Sequence, residues 1–246
     1  MAQVPTKARA VIIGGGVIGC SLAYHLAKLG WKDVVLLERK QLTSGTTWHA
    51  AGLIAQLRAT ANMTKLAKYS QELYGNLEAE IGVATGFKRC GSITVALTKE
   101  RREEIYRQAA MARAFGVDVE EISPAEVKAK YEHLNIDGVT GGVWLPLDGQ
   151  GDPANIALAL VKGARQMGAQ VFEQTKAMGV TREGRRITAV QWQNEQGESG
   201  TIACENVINC GGMWGHEVGR MLGINVPLQA CEHFYIVSEA IEGLSQ

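Results

Sequence analysis

The feature that most constrains the fold of this chain is a glycine-rich turn near its N-terminus. The turn carries Gly14, Gly16 and Gly19 in the pattern Gly-x-Gly-x-x-Gly. The run before it, residues 8–13, is apolar and β-branched, which is typical of a strand buried on both faces. Over residues 17–28 the apolar side chains recur at helical spacing. A strand, a glycine turn and a helix in this order predict the first βα unit of a Rossmann-like α/β fold.

The three glycines stand where a pyrophosphate-binding turn needs them. Gly14 permits a tight turn, Gly16 lets the backbone approach a pyrophosphate, and Gly19 allows close packing of the helix. Glu38 ends the second predicted strand, residues 34–38, 19 residues after Gly19. A carboxylate at this position accepts hydrogen bonds from ribose hydroxyls and repels a 2′-phosphate. The residues therefore predict a dinucleotide site that disfavours NADP, and the alternative is a glycine-rich turn without a ligand.

A loop of small residues follows the second predicted strand. It reads Ser-Gly-Thr-Thr-Trp-His-Ala-Ala-Gly over residues 44–52. A single histidine in a loop is most often a polar surface residue. The small residues around His49, however, let the backbone press against a planar ring. The loop therefore indicates a flavin, with a covalent bond to His49 as the expectation and non-covalent FAD as the alternative.

Composition excludes several classes of partner. The chain has 25 basic and 25 acidic residues, so its formal net charge gives no reason to expect nucleic acid or an anionic membrane. We expect no membrane span, no targeting segment and a cytoplasmic protein, because residues 1–7 lack an apolar signal core. The five cysteines are odd in number and form no Cys-x-x-Cys pair, so we expect reduced thiols and no metal site.

The remaining pattern predicts a nucleotide-binding domain that a second domain interrupts. Residues 1–84 and 151–221 are predicted to form the first domain, and residues 85–150 and 222–246 part of an α+β, substrate-facing domain. The second domain is predicted to include a strand over 230–238, with one face formed by Cys231, His233, Tyr235 and Val237. Other helices are predicted at 64–81, 99–115, 124–131, 154–167 and 214–222. Other strands are predicted at 91–97, 170–173, 177–181, 186–194, 201–204 and 207–210.

The sequence resembles the flavin-dependent amine dehydrogenases that include the sarcosine and dimethylglycine dehydrogenases, within the D-amino-acid-oxidase-like group. The motifs that carry the resemblance are residues 36–39, 42–49, 148–153, 207–214 and 226–243. The resemblance implies a glutathione-reductase-type, Rossmann-like FAD-binding domain interrupted by an α+β substrate-domain segment.

The resemblance also implies roles for particular residues. Glu38 would hold the adenosine ribose, and His49 would bond through a ring nitrogen to the 8α-methyl group of the flavin. Val180 would meet the adenine through its backbone. The implied cofactor-binding residues are Gly14, Gly16, Val17, Ile18, Gly19, Glu38, Arg39, Gly45, Thr46, Thr47, Trp48, His49, Ala50, Ala51, Gly52, Leu53, Val180, Gly211 and Trp214.

On the substrate side, the resemblance implies a role for His233. Its imidazole would orient the substrate or adjust its protonation, because a pKa near neutrality moves easily in either direction. The alternative is a structural hydrogen bond made by an inward-facing strand histidine. Tyr235, on the same predicted face, and Trp48 have simple packing as their alternative.

The implied reaction is oxidative N-demethylation of a small N-methylated amino acid, such as sarcosine or dimethylglycine, by hydride transfer to the flavin. The imine formed would hydrolyse to formaldehyde or pass its carbon to tetrahydrofolate. Electrons would go to an electron-transfer flavoprotein or to oxygen, in the mitochondrial matrix if the source is eukaryotic. Members of the family are longer, and many carry a folate-binding C-terminal half. The alternatives are another flavin amine oxidase, for example one acting on 4-methylaminobutyrate, a non-catalytic regulatory relative, or an inactive fragment.

Overall fold

The structure, a computed structural model, describes residues 3–243 and combines helices with three β-sheets. The strands are β1 (Lys7–Ile13), β2 (Val34–Leu37), β3 (Leu53–Ile54), β4 (Ser92–Ala96), β5 (Glu120–Ile122), β6 (Gly141–Leu145), β7 (Gly149–Gln150), β8 (Gln170–Phe172), β9 (Thr175–Glu183), β10 (Arg186–Asn194) and β11 (Ser199–Asn209). The α-helices are α1 (Val17–Lys28), α2 (Ala61–Ile81), α3 (Lys99–Ala114), α4 (Pro124–Lys130), α5 (Pro153–Gln166) and α6 (Gly215–Met221).

The largest sheet has six strands in the order β8-β2-β1-β11-β10-β9. Strands β8, β2, β1 and β11 are parallel, and β10 and β9 continue the sheet in antiparallel fashion. All four residues of β2 and the last four of β1 are buried. This burial explains their continuous apolar runs, because helices and loops cover both faces of such a sheet. The predicted α/β, Rossmann-like fold is confirmed.

Helices α1 and α5 pack together against one face of this sheet. Cys20, Ala23 and Ala27 of α1 share a buried cluster with Leu160 of α5 and Leu36 of β2. The small residues let the two helix backbones approach each other closely. This packing fixes the direction of α1, and therefore the place of its N-terminus at the end of β1.

Strand β11 differs from its prediction, because residues 201–204 and 207–210 were expected to form two separate strands. The structure has one strand of 11 residues. Ala203 faces Ala189 of β10 and also Lys7 of β1, so the two pairings meet on this residue. The polar residues Glu205 and Asn206 do not interrupt the strand, since both are exposed to solvent.

The inserted part of the chain forms a second, antiparallel sheet. Its strand order is β4-β6-β5, and α3 packs on it through Ile105, Ala109 and Ala112. The buried carboxylate of Asp148 connects this sheet to the rest of the molecule. Its oxygens accept hydrogen bonds from the Gln56 backbone N–H at 2.9 Å and from the Ser92 hydroxyl at 2.6 Å.

The prediction of a strand over residues 230–238 is wrong. The structure has neither strand nor helix there, and every residue of the segment is exposed. Phe234 is 91% and Ile236 is 94% exposed, so the alternation does not produce a buried face. No strand within residues 3–243 pairs with the segment, and a strand needs a partner for its backbone hydrogen bonds. The predicted helix 214–222 is also shorter, because a 3-10 turn, Gly212–Trp214, precedes α6.

No helix in the described part of the chain is long and apolar enough to cross a bilayer.

Candidate functional site

The turn between β1 and α1 brings three segments of backbone into close contact. Gly14 has φ of +114°, and a Cβ atom there would overlap the carbonyl oxygen of Cys210 at the end of β11. A Cβ atom on Gly19 would overlap the carbonyl oxygen of Gly14. Both positions therefore require glycine, because backbone carbonyl groups lie too close to leave room for a Cβ atom. Gly19 makes its close approach to the turn itself.

The N-terminus of α1 is capped from a distant part of the chain. Gly16 is the N-cap residue and has no side chain to offer. Instead, the backbone N–H of Val17 donates to the hydroxyl oxygen of Thr47 at 2.9 Å. The N–H of Thr43 also donates to the carbonyl oxygen of Gly15 at 2.9 Å. These two bonds attach the small-residue loop to the glycine turn.

The carboxylate of Glu38 lies against the same turn. One oxygen accepts the Gly15 N–H at 2.7 Å, and the other accepts the Lys40 N–H at 2.8 Å. The side chain is only half-buried. Each carboxylate oxygen has further lone pairs, so Glu38 retains capacity for two hydroxyl donors such as those of a ribose.

A cavity of about 760 Å³ opens beside these groups. It lies at the carboxyl ends of β1, β2 and β11, where ligands bind in open α/β sheets. Its volume is in the range of cofactor pockets. The expected cofactor-binding residues that line it are Gly14, Gly16, Val17, Ile18, Glu38, Arg39, Gly45, Thr46, Thr47, Ala50, Gly211 and Trp214.

One wall of the cavity is formed by stacked side chains. The guanidinium carbon of Arg39 lies 4.1 Å from the centroid of the Trp214 ring, a cation–π contact. A Cβ atom on Gly45 would lie 3.4 Å from the same ring. The amide of Asn209 shapes the turn before Trp214, because it accepts the Gly211 N–H at 3.0 Å. Asn209 was absent from the expected site, although its place at the end of β11 was a usable signal.

Several expected residues lie outside the cavity lining. Val180 is one of them: it pairs with Val190 and packs in the sheet core, whereas the first residues of β9, 175–178, line the cavity. Gly52 has φ of +75° and packs against the backbone of Gly151. The expected residues outside the lining are Gly19, Trp48, His49, Ala51, Gly52, Leu53 and Val180.

His49 is exposed and lies between two cavity-lining neighbours, Thr47 and Ala50. Its Nδ1 atom is 3.1 Å from the hydroxyl oxygen of Tyr235. The Trp48 ring covers its face, with centroids 3.8 Å apart. His233, by contrast, is exposed and does not line the cavity. Its expected position on an inward-facing strand is wrong, because that strand does not form.

The thiols near the cavity are poor nucleophiles. Burial raises the pKa of Cys20 to about 12, and its Sγ donates to the Gly15 carbonyl oxygen at 3.4 Å. Burial also raises the pKa of Cys204 and Cys210 above the usual thiol value. All five cysteines are free. Within residues 3–243, no group of three or more His, Cys, Asp or Glu side chains could hold a metal ion.

The βα turn, the half-buried carboxylate of Glu38 and the cavity at the strand ends together are typical of a dinucleotide-binding domain. Residues 9–246 match the family described as "FAD dependent oxidoreductase", and the chain belongs to this family. The mitochondrial sarcosine dehydrogenase of Homo sapiens is 41% identical over 98% of this chain and 26% of its own length.

Two further comparisons are with a regulatory subunit and with a crystal structure. The pyruvate dehydrogenase phosphatase regulatory subunit of Mus musculus is 37% identical over 96% of the chain and 26% of its own length. The crystal structure of L-proline dehydrogenase from P. horikoshii superposes with a TM-score of 0.83 at 29% identity, over 90% of this chain and 57% of that one. The chain thus spans about a quarter of the length of these two curated relatives.

Proposed function

We propose that this chain binds FAD in the cavity beside the glycine turn and bonds it covalently through His49. We propose further that the protein oxidises a small N-methylated amino acid, such as sarcosine or dimethylglycine. The observation that carries the proposal is the hydrogen bond from the Val17 N–H to Thr47, which attaches the His49 loop to the phosphate-binding turn. A dinucleotide on the turn would extend directly toward this loop.

Residues around the cavity support the proposal for the pyrophosphate, the ribose and the flavin of FAD. The pyrophosphate would lie on the N-terminus of α1, where free N–H groups favour an anion. The ribose hydroxyls would donate to Glu38. The residues 45–53 would surround the flavin, with no side chain larger than threonine at Gly45, Thr46 and Thr47 to block its approach. A Cβ atom at Gly16 would come within 3.1 Å of the Thr47 hydroxyl, which supports a need for glycine in the cradle.

When bound, the flavin supplies the hydride acceptor, and the protein supplies binding and orientation. Removal of a hydride from the C–H beside nitrogen requires the substrate amine in its neutral form. The imidazole of His233 is proposed to accept or orient that proton at the substrate side. Because the segment around His233 is exposed in this chain, the proposal requires it to fold against additional polypeptide.

The remaining elements of the proposal extend the expectations drawn from the sequence. The chain has an FAD-binding domain formed by residues 1–84 and 151–221, and a substrate-facing part formed by 85–150 and 222–246. Electrons pass to an electron-transfer flavoprotein or to oxygen, and the imine carbon is released as formaldehyde or passed to tetrahydrofolate. A mitochondrial matrix location is proposed for a eukaryotic source, since the sarcosine dehydrogenase relative is mitochondrial.

A second candidate is a regulatory protein without redox activity, favoured by the 37% identity to a phosphatase regulatory subunit. The intact cradle of Gly14, Gly16 and Glu38, together with His49, supports the enzyme instead. Within the enzyme class, 4-methylaminobutyrate is the alternative substrate, and a substrate profile of the purified protein separates it from sarcosine and dimethylglycine.

The first test is flavin fluorescence of the denatured protein in a gel, for wild type, His49→Ala and His133→Ala. His133 is the matched control, since it is exposed like His49 but its ring contacts Tyr131, in another part of the chain. We expect a fluorescent band in wild type and His133→Ala and none in His49→Ala. Bound but non-covalent FAD in wild type would contradict the proposed covalent bond and leave the proposed oxidoreductase function standing. Absence of any FAD from the full-length protein would favour the regulatory candidate.

A further inference from the structure

Thr43 combines a strained backbone with a contact to the glycine turn. Its φ is +66°, in the left-handed region that β-branched residues rarely adopt. The side chain is buried and does not line the cavity. The backbone N–H donates to the carbonyl oxygen of Gly15 at 2.9 Å. A residue in such a conformation persists only where surrounding contacts offset its cost, and residues of this kind cluster at functional sites.

Hydrogen bonds hold the chain on both sides of Thr43. The N–H of Leu42 donates to a carboxylate oxygen of Glu173 at 2.7 Å, across 131 positions of sequence. The N–H of Ser44 donates to the carbonyl oxygen of Gln41 at 3.2 Å. The peptide units before and after that of the Thr43 N–H are therefore both fixed. These contacts explain how a strained φ persists here, and they direct the Thr43 N–H to the turn.

The carbonyl oxygen of Gly15 and the N–H of Gly16 belong to one peptide unit. No peptide bond within residues 3–243 is cis, and in a planar trans unit the C=O and N–H bonds point in opposite directions. Because the oxygen accepts from Thr43, the Gly16 N–H is directed to the opposite side. It has no acceptor within residues 3–243, whereas the N–H groups of Gly15 and Val17 donate to side chains. Gly16 itself lines the cavity.

We infer that Thr43 is a positioning residue, which holds the Gly15–Gly16 peptide so that the Gly16 N–H faces the pyrophosphate of a bound dinucleotide. The inference rests on the FAD site proposed above and adds to it a residue outside the cavity lining. The thiol of Cys20 supports the same orientation, because its Sγ donates to the Gly15 oxygen at 3.4 Å. The backbone of Thr43 performs the task, so its side chain is replaceable by any residue that adopts a positive φ.

The test removes one backbone N–H and leaves every side chain in place. In the full-length protein the amide of residue 43 is replaced by an ester, through incorporation of the α-hydroxy acid that corresponds to threonine. The matched control is an ester at Ser44, whose N–H donates within the loop to Gln41 and not to the turn. Calorimetry measures the binding of ADP, which carries both phosphates of FAD. The affinity for ADP is expected to fall about two- to tenfold with the ester at 43, the range for loss of one hydrogen bond. It is expected to stay unchanged with the ester at 44.

Urea denaturation of the same apoproteins separates positioning from a merely structural role. Each ester lacks one hydrogen bond of the folded state, so both are expected to lower the free energy of unfolding by similar amounts. A structural role alone predicts equal affinities of the two folded proteins for ADP. Thr43→Gly keeps the N–H and adopts a positive φ without strain, so its affinity for ADP is expected to lie within about twofold of wild type.

Hydrogen exchange at Gly16, followed by NMR, observes the proposed donor directly. Its amide is expected to exchange freely in the apoprotein and to be protected when ADP binds. Protection without ligand, equal affinities for the two esters, or a loss in Thr43→Gly as large as with the ester at 43 overturns the inference and leaves the FAD site standing. Failure of wild type to bind ADP overturns the inference together with the FAD site. The expected ADP results without oxidation of an amine overturn only the proposed reaction.

Discussion

Thr47 caps the helix that begins at Val17, although the two residues are 30 positions apart in sequence. An N-cap is normally the residue immediately before the helix. Here that residue is Gly16, which has no side chain to donate or accept a hydrogen bond. The chain thus divides the two tasks: Gly16 occupies the N-cap position, and the loop supplies the capping hydroxyl. Folding of the loop and formation of the first turn of α1 are therefore coupled.

Thr47→Val is expected to weaken both the fold and FAD binding. The substitution keeps the shape of the side chain but leaves the Val17 N–H without its acceptor, and loss of a cap costs about 1 kcal/mol. Chemical denaturation and FAD titration measure the two effects. Thr47→Ser retains the hydroxyl and is expected to restore most of both. Equal loss in the serine variant would show that the methyl group of Thr47, and not its hydroxyl, is the important part.

The glycines of the turn are expected to respond differently to alanine. In Gly19→Ala the new Cβ atom meets the backbone carbonyl of Gly14, which cannot move without opening the turn. We expect a destabilisation of about 1–3 kcal/mol, as in other overpacked sites, and loss of FAD binding. In Gly16→Ala the new atom meets only the Thr47 hydroxyl at 3.1 Å. This variant is expected to remain nearly as stable as wild type while FAD affinity falls. Similar melting temperatures for the two variants would contradict the assignment of their roles.

An acid-dependent contact joins α1 to α2. Tyr24 donates to Glu80 at 2.5 Å, and Lys28 lies 3.2 Å from the same carboxylate. The Tyr24 hydroxyl, and then Lys28, hold the pKa of Glu80 below its usual value. A carboxyl group with a lowered pKa in the folded state stabilises the fold above its unfolded pKa. That contribution is lost as the pH falls through the folded value.

Glu80→Gln is therefore expected to lower the free energy of unfolding at pH 7, with little further effect well below pH 4. Glu80 is partly exposed to water, so the loss is expected to be less than about 1 kcal/mol. Urea unfolding of wild type and variant across this pH range measures the difference. Glu78→Gln, on the same helix and also exposed, is the control. A difference that persists at low pH would exclude ionisation of Glu80 as its cause.

Local sequence signals predicted the first βα unit well. The strand, the helix and the position of Glu38 each depend on neighbouring residues, and all appear in the structure where expected. The helix over 124–131 was also predicted, and its capping box of Ser123 and Glu126 lies within one turn. The Thr47 cap was not predicted, since its partner is distant in sequence. The contact of Trp214 with Arg39 depends in the same way on the fold.

Failures of prediction have a common physical origin in strand pairing. Alternation over residues 230–238 indicated a strand, but a strand exists only where another strand satisfies its hydrogen bonds. In β11 the opposite occurred: the polar residues at 205 and 206 suggested an interruption, while pairing with β1 kept the backbone extended. Pairing partners lie far apart in sequence, so a local pattern does not report them.

Because β11 is one continuous strand, its register with β10 also determines its register with β1. In its first half β11 pairs with β10, and in its second half it pairs with β1. Insertion of one residue into its middle would turn every following side chain to the opposite face, and Asn209 would no longer support the turn before Trp214. Changes of length in this part of the chain should therefore be tolerated only at the hairpin tip, residues 195–198, which lies beyond both pairings.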